Sequence, residues 1–370
     1  MVKRTAKTYI QLAVMTSALT SLSMAAAADP WTGFNDEHGS IAYDTSTPGD
    51  GHTNITQNGS LYIGKNPNGL DILGGQSVTI DQSSTNAMFV AKDGSGDIQP
   101  TRILGTLRTT LNGGGTGGSV MILDSNGIFF GTDSVLDTGG IIASTGELNN
   151  SRLINDNVIE LSNFGPGSID VELGADLSVA DGGMAAFVAP TVSNRGFITA
   201  NTGRVQLAAV DSGTTATMTT VDFYGDGLFE FAVDASNTSP LSVVNEGTIE
   251  AAGGQIHMTT AAASGIVDTV VNTSGIARVS SVSQEGGKIV LGGANTKTVN
   301  VSGTVEADGA TDGGDINVNA DRVLIADNAQ VSADAIDNGD GGNIIFFGQQ
   351  FAIMGGSASS RGGRFGGNGG

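Results

Sequence analysis

Three histidines and 37 acidic residues are the groups in this 370-residue chain that could move protons or hold a metal. Cysteine is absent, which excludes thiolate nucleophiles, Cys-ligated zinc and disulfides. The histidines are His38, His52 and His257, and none belongs to an H-E-x-x-H pair. His257 alternates with Ile256 and Met258, which predicts a strand residue pointing away from the core. No G-x-S-x-G or Walker pattern is present. The stretch from Asp222 to Gly227 and the turns Asp308–Asp315 and Asp337–Asp340 are oxygen-rich. They lack both the D-x-D-x-D-G spacing and the G-G-x-G-x-D nonapeptide of calcium sites, so they read as ordinary turns. A pair of carboxylates set for sugar cleavage stays open, because separation decides that chemistry and sequence does not give separations. The reading is therefore non-enzymatic, with no catalytic residue, cofactor or metal expected.

The elements that must position these residues are short and repeated. Glycine supplies 57 residues, about twice its usual share, while 39% of the chain is hydrophobic and only 5% aromatic. A disordered glycine-rich linker would lack that aliphatic content. Beyond Asn163 two modules recur. One is strand–Asn–Gly–strand, in Val192-Ser193-Asn194-Arg195-Gly196, Val243-Val244-Asn245-Glu246-Gly247 and, more loosely, Val271-Asn272-Thr273-Ser274-Gly275. The other is Gly-Gly-x-Ile, with Ile256, Ile289, Ile316 and Ile344 spaced by 33, 27 and 28 residues. Self-similarity at that period signals a solenoid. Strands of three to five residues with apolar–polar alternation are too short to stand alone. Gly and Asn corners allow sharp turns, and stacking successive coils makes parallel sheets around one aliphatic column. The expected fold is all-β: a parallel β-helix of on the order of a dozen rungs, with a sheet sandwich as the structural alternative. Residues 29–60, polar and irregular with Trp31, Phe34 and Tyr43 as anchors, are expected to cap its open end. Residues 214–223 and 228–233, flanking Gly225-Asp226-Gly227, read as a protruding β-hairpin.

At the N-terminus, Lys3, Arg4 and Lys7 precede a moderately apolar run and Ala25-Ala26-Ala27-Ala28. That is the order of a secretory signal peptide cleaved after Ala28, with Ala26 and Ala28 as the small residues and Asp29 first in the mature chain. The formal net charge is −21, so nucleic-acid binding is not expected. Asn66-Pro67-Asn68-Gly69-Leu70 reads as a plain turn before a strand over 76–80.

The most specific stretch is 103–145. It runs Ile103-Leu104-Gly105-Thr106-Leu107, a Gly-rich turn, a strand from Ser119 to Leu123, then Asp124-Ser125-Asn126-Gly127-Ile128 and Gly131, then Gly139-Gly140-Ile141-Ile142-Ala143-Ser144-Thr145. This order resembles the haemagglutination-activity domain at the N-terminus of two-partner secretion exoproteins, the filamentous haemagglutinin family. The family's N-P-N-G-I turn is Asp124-Ser125-Asn126-Gly127-Ile128 here, so its first Asn and its Pro are replaced while Asn-Gly is kept. The resemblance implies a right-handed β-helix. It also implies export through the periplasm and recognition by an outer-membrane β-barrel transporter carrying POTRA domains. Asp124, Ser125, Asn126, Gly127, Ile128 and Gly131 form the candidate secretion motif.

The expected organisation is a signal peptide over 1–28, a secretion domain over 29–300 with its cap at 29–60, and further coils over 301–370 that stop inside a rung. The expected partners are the signal-peptide-dependent export machinery of the inner membrane, the outer-membrane transporter, and host-cell or bacterial surface glycans or proteins. The expected role is that of a secreted or surface-exposed adhesin of a Gram-negative bacterium. The alternative is a β-helical protein that binds or cleaves polysaccharide.

Overall fold

A computed structural model describes residues 29–44, 47, 49–212, 218–221, 230–232, 241–261, 269–281, 286–293 and 296–370, with backbone alone for 218–221, 230–232 and 261. Ala26 and Ala28 of the expected cleavage site, and the oxygen-rich stretch 222–227, lie outside the described residues.

Alternating strands cornered by glycine wind into a right-handed parallel β-helix. Three parallel ladders run its length. The first begins with residues 52–56 of the strand His52–Asn66, which pair in parallel with Ser77–Gln82. It continues through Thr106–Leu111, Val135–Thr138, Asp176–Val179, Phe197–Thr199 and Thr248–Glu250. Ile276–Arg278, Thr304–Glu306, Gln330–Ser332 and Ser357–Ser359 complete it. These are eleven strands, or about 50 Å at ~4.8 Å per rung. The second ladder stacks residues 61–66, Met88–Asp93, Ser119–Leu123, Gly140–Ser144, Met184–Ala189, Arg204–Val210, Gln255–Ala261 and Lys288–Gly292. It ends on the first halves of Asp315–Ile325 and Asn343–Met354. The third runs from Thr101–Ile103 and Ile128–Phe130 to the second halves of those two long strands.

The inward positions form one continuous column of Val, Ile, Leu and Ala. Ile256, Ile289, Ile316 and Ile344 occupy one register, as their spacing predicts. Asn194 and Asn245 also stack, the Asn194 Nδ2 donating to the Asn245 Oδ1 at 2.8 Å. The looser third copy is shifted: Thr273, not Asn272, lies under Asn245 and accepts from its Nδ2 at 3.3 Å. A threonine hydroxyl can take that bond, so the stack tolerates the exchange.

The end over residue 29 is closed as expected, but with strands. Asn35–Tyr43 pairs antiparallel with His52–Asn66, so residues 52–60, expected to be irregular, already belong to the first coil. Trp31 is buried, stacks on Phe89 with ring centroids 6.2 Å apart, and donates its indole N–H to the Leu70 carbonyl. Phe34 and Tyr43 pack against the same column. The Asp29 carboxylate accepts from the Gly49 and Gly51 N–H groups, which ties the start of the cap to the turn before His52–Asn66. Asn66–Leu70 is a turn, its Asn66 carbonyl accepting from the Gly69 N–H.

A second apolar cluster lies outside the coil. Met88, Val90, Met121, Leu123, Ile142, Met184, Ala186, Val188, Ala208 and Val210 project outward from the second ladder and are buried nonetheless. Leu148, Leu153, Ile159, Leu161 and Phe164 cover them. All but Phe164, which follows the strand Ile159–Ser162, come from a helix, Asn150–Asp156, and a four-stranded antiparallel sheet. Asn149 caps the helix by accepting from the Arg152 N–H, and Asn157 ends it in the left-handed conformation. The expected hairpin is part of this sheet: Met218–Val221 pairs with Glu230–Ala232 and with Ile159–Ser162. It therefore joins a cover rather than standing free. Leu161 is fully buried there, so Leu161→Ala is expected to cost about 2–5 kcal/mol, readable as a shift in the urea midpoint at constant m.

Candidate functional site

The candidate secretion motif is the corner between the second ladder, ending at Leu123, and the third, beginning at Ile128. Asp124 is 3% exposed, and its carboxylate organises the turn. Oδ1 accepts from the Asn126 N–H at 2.8 Å. Oδ2 accepts from the N–H and hydroxyl of Thr101, at 2.8 and 2.9 Å, on the coil before. The Gly127 N–H donates to the Asp124 carbonyl at 3.1 Å and closes the turn. Burial pushes the Asp124 carboxyl above the ordinary aspartate range, against the bonds from Asn126 and Thr101. The family's Asn at this place would offer one acceptor oxygen; the aspartate offers two and uses both.

The other motif residues divide by exposure. Gly127 sits at φ +113°, and a Cβ there would lie 2.6 Å from the Ser168 carbonyl oxygen of the next coil. Ile128 is in the aliphatic column. Gly131 is buried and donates its N–H to the Ile103 carbonyl. Ser125 is exposed and Asn126 half-buried, with the Asn126 Nδ2 bonded to the Asp97 carbonyl at 3.0 Å. Four of the six residues thus build the coil, and Ser125 and Asn126 are the ones left facing outward.

Beside this turn lies a groove of about 480 Å³, between the cap, the 93–97 loop and the start of the outer sheet. Lys65, Asp93, Asp97 and Glu147 line it together with Lys92 and Glu37, an ion pair at 2.7 Å. Asn150 of the outer helix bonds both partners. Burial acts to raise the Glu37 carboxyl, but the bonds from Lys92 and Asn150 prevail and hold it below its ordinary range. No local pattern marks this cluster in the sequence, because Glu37 and Asn150 are 113 residues apart.

The acidic turns link successive coils. The Asp308 Oδ1 accepts from the Asp334 N–H one coil on, Asp312 from Asp340, and Asp340 from Asn368. Among the described residues no three His, Asp or Glu side chains converge as a metal site. The histidines lie on three separate elements. His257 faces away from the column, as its alternation predicts, but it is half-covered, and its Nε2 has no partner among the described residues. Burial, aided by Lys288 and Arg204, lowers its pKa to about 4 from 6.5. The folded chain then holds His257 neutral while the unfolded chain protonates it, so stability falls as pH drops from 6.5 toward 4. Urea midpoints at pH 7 and pH 4.5 are expected to differ less for His257→Gln than for the parent chain.

No family model matches the sequence, and no curated protein matches it. The solved structures give a clear answer on architecture. The fold is that of the HMW1 secretion domain from Haemophilus influenzae. The two share 21% sequence identity at a TM-score of 0.69, over 89% of this chain and 84% of that one. The likeness agrees with a right-handed parallel β-helix over most of the chain.

Proposed function

We propose that this chain is the secretion domain of a two-partner exoprotein, exported by a dedicated outer-membrane transporter and acting without catalysis as an adhesin on the cell surface or in the medium. The observation that carries the reading is the placement of the secretion-motif residues. Asp124–Gly131 forms one sharp corner of a β-helix whose fold is that of the HMW1 secretion domain. In this reading the signal peptide takes the chain into the periplasm, where POTRA domains engage it before it folds. The chain then winds outside the cell. Each added coil buries aliphatic surface worth ~25 cal/mol/Å² and pairs its backbone with the coil before, which biases passage outward without a nucleotide. Adhesion would use the ladders of exposed side chains along the rod.

Binding of the urea-unfolded chain, diluted onto the purified POTRA domains of its transporter, tests the partner. Saturable binding that is lost when the chain is folded beforehand is expected. Equal binding of folded and unfolded chain, or none, would refute recognition before folding.

A further inference from the structure

The Gly-Gly corners do more than turn the chain. Gly203, Gly254, Gly287, Gly314 and Gly342 stack on successive coils. A Cβ on any of them would lie 1.9–2.3 Å from the carbonyl oxygen of the glycine before it, beginning with Gly183. No side chain fits on this line. It is the floor of an open furrow of about 810 Å³ that runs parallel to the rod axis.

One wall is the column of side chains that opens each strand of the second ladder. Arg204, Gln255, Lys288, Asp315 and Asn343 follow one another in register, one per coil. At ~4.8 Å per rung, the two cations stand about 10 Å apart with an amide between them. Lys288 is exposed. Asp315 follows on the next coil and accepts from the Asn343 amide at 2.9 Å.

We propose that this furrow binds an extended polysaccharide bearing a carboxylate on alternate sugars. The length and openness of the furrow suit a polymer lying along the axis rather than a compact ligand. A sugar ring spans about one rung, so acids on every second sugar would meet Arg204 and Lys288 while the neutral sugar between meets Gln255. The bare glycine floor lets rings approach the peptide planes, and the amides of Gln255 and Asn343 suit hydroxyl groups. Asp315 selects against a polymer charged on every sugar, because one of its acids would fall opposite this carboxylate. The inference stands apart from the export reading, since it concerns the folded chain by whatever route it reaches its destination.

Calorimetric titration of the full folded chain with hyaluronan oligosaccharides, polygalacturonate and dextran tests it. Hyaluronan is expected to bind best, and more weakly as salt is raised. Lys288→Glu is expected to weaken that binding at least tenfold with an unchanged circular dichroism spectrum, and Gln255→Ala to weaken it less. Asp315→Asn is expected to narrow the preference over polygalacturonate. Absence of hyaluronan binding, equal binding of the three polymers, or full affinity in Lys288→Glu would overturn the proposal.

Discussion

Gly287→Ala is expected to prevent the coils from stacking. The added Cβ would sit 2.1 Å from the Gly254 carbonyl oxygen and 2.8 Å from the Val279 Cβ. The first of these is backbone and cannot rotate away. Relief requires moving one coil against the next, which breaks the Lys288 N–H to Gly254 carbonyl bond and its neighbours along the ladder. A loss above about 4 kcal/mol, the exceptional class for one substitution, is expected, seen as loss of the cooperative thermal transition. Gly74→Ala is the control. Nothing lies within 4 Å of a Cβ there, and a change within about 1 kcal/mol is expected. Equal melting temperatures for the two variants would mean that the glycine corners are not packed coil on coil.

The second large effect separates recognition from folding within the motif. Ser125→Ala combined with Asn126→Ala removes an exposed hydroxyl and the bond to the Asp97 carbonyl. The backbone bonds to the Asp124 carboxylate and carbonyl remain, so stability is expected to change by about 1 kcal/mol or less. Export is expected to drop at least tenfold, measured as protein in the medium against protein in the periplasm. Gly127→Val behaves differently: its φ of +113° and the close Ser168 carbonyl make it unfold the turn as well. If the double variant is exported at the parent's rate, Ser125 and Asn126 are ordinary turn residues and the transporter reads something else.

The coil itself was legible because its signals are local and repeated. Ile256, Ile289, Ile316 and Ile344 announce one register, and Gly254, Gly287, Gly314 and Gly342 announce the corner beside it. The terminal Gly369-Gly370 follows the same rule: a Cβ on Gly370 would fall 2.1 Å from the Gly342 carbonyl oxygen, so this pair occupies the next corner. The outer cover was not legible. Its seven-residue helix is too short for a helical period to emerge, and its sheet joins strands near 160 to strands near 220. A trace of it was present nonetheless. Val120–Leu123, Met184–Ala189 and Leu207–Val210 lose the apolar–polar alternation of the later coils, which is what burial on both faces requires. The role of Asp124 was also hidden. As a departure from the family's Asn it looked like a loss, and only the geometry of Thr101 and Asn126 shows the second oxygen in use.

Transporter dependence of export tests the central claim most directly. The full chain would be expressed in a Gram-negative host with and without the two-partner transporter from its own source, and the medium, surface and periplasm assayed. Folded, protease-resistant chain outside the cell only when the transporter is present is the predicted result. The same yield outside the cell without the transporter, or retention in the periplasm with it, would contradict the account.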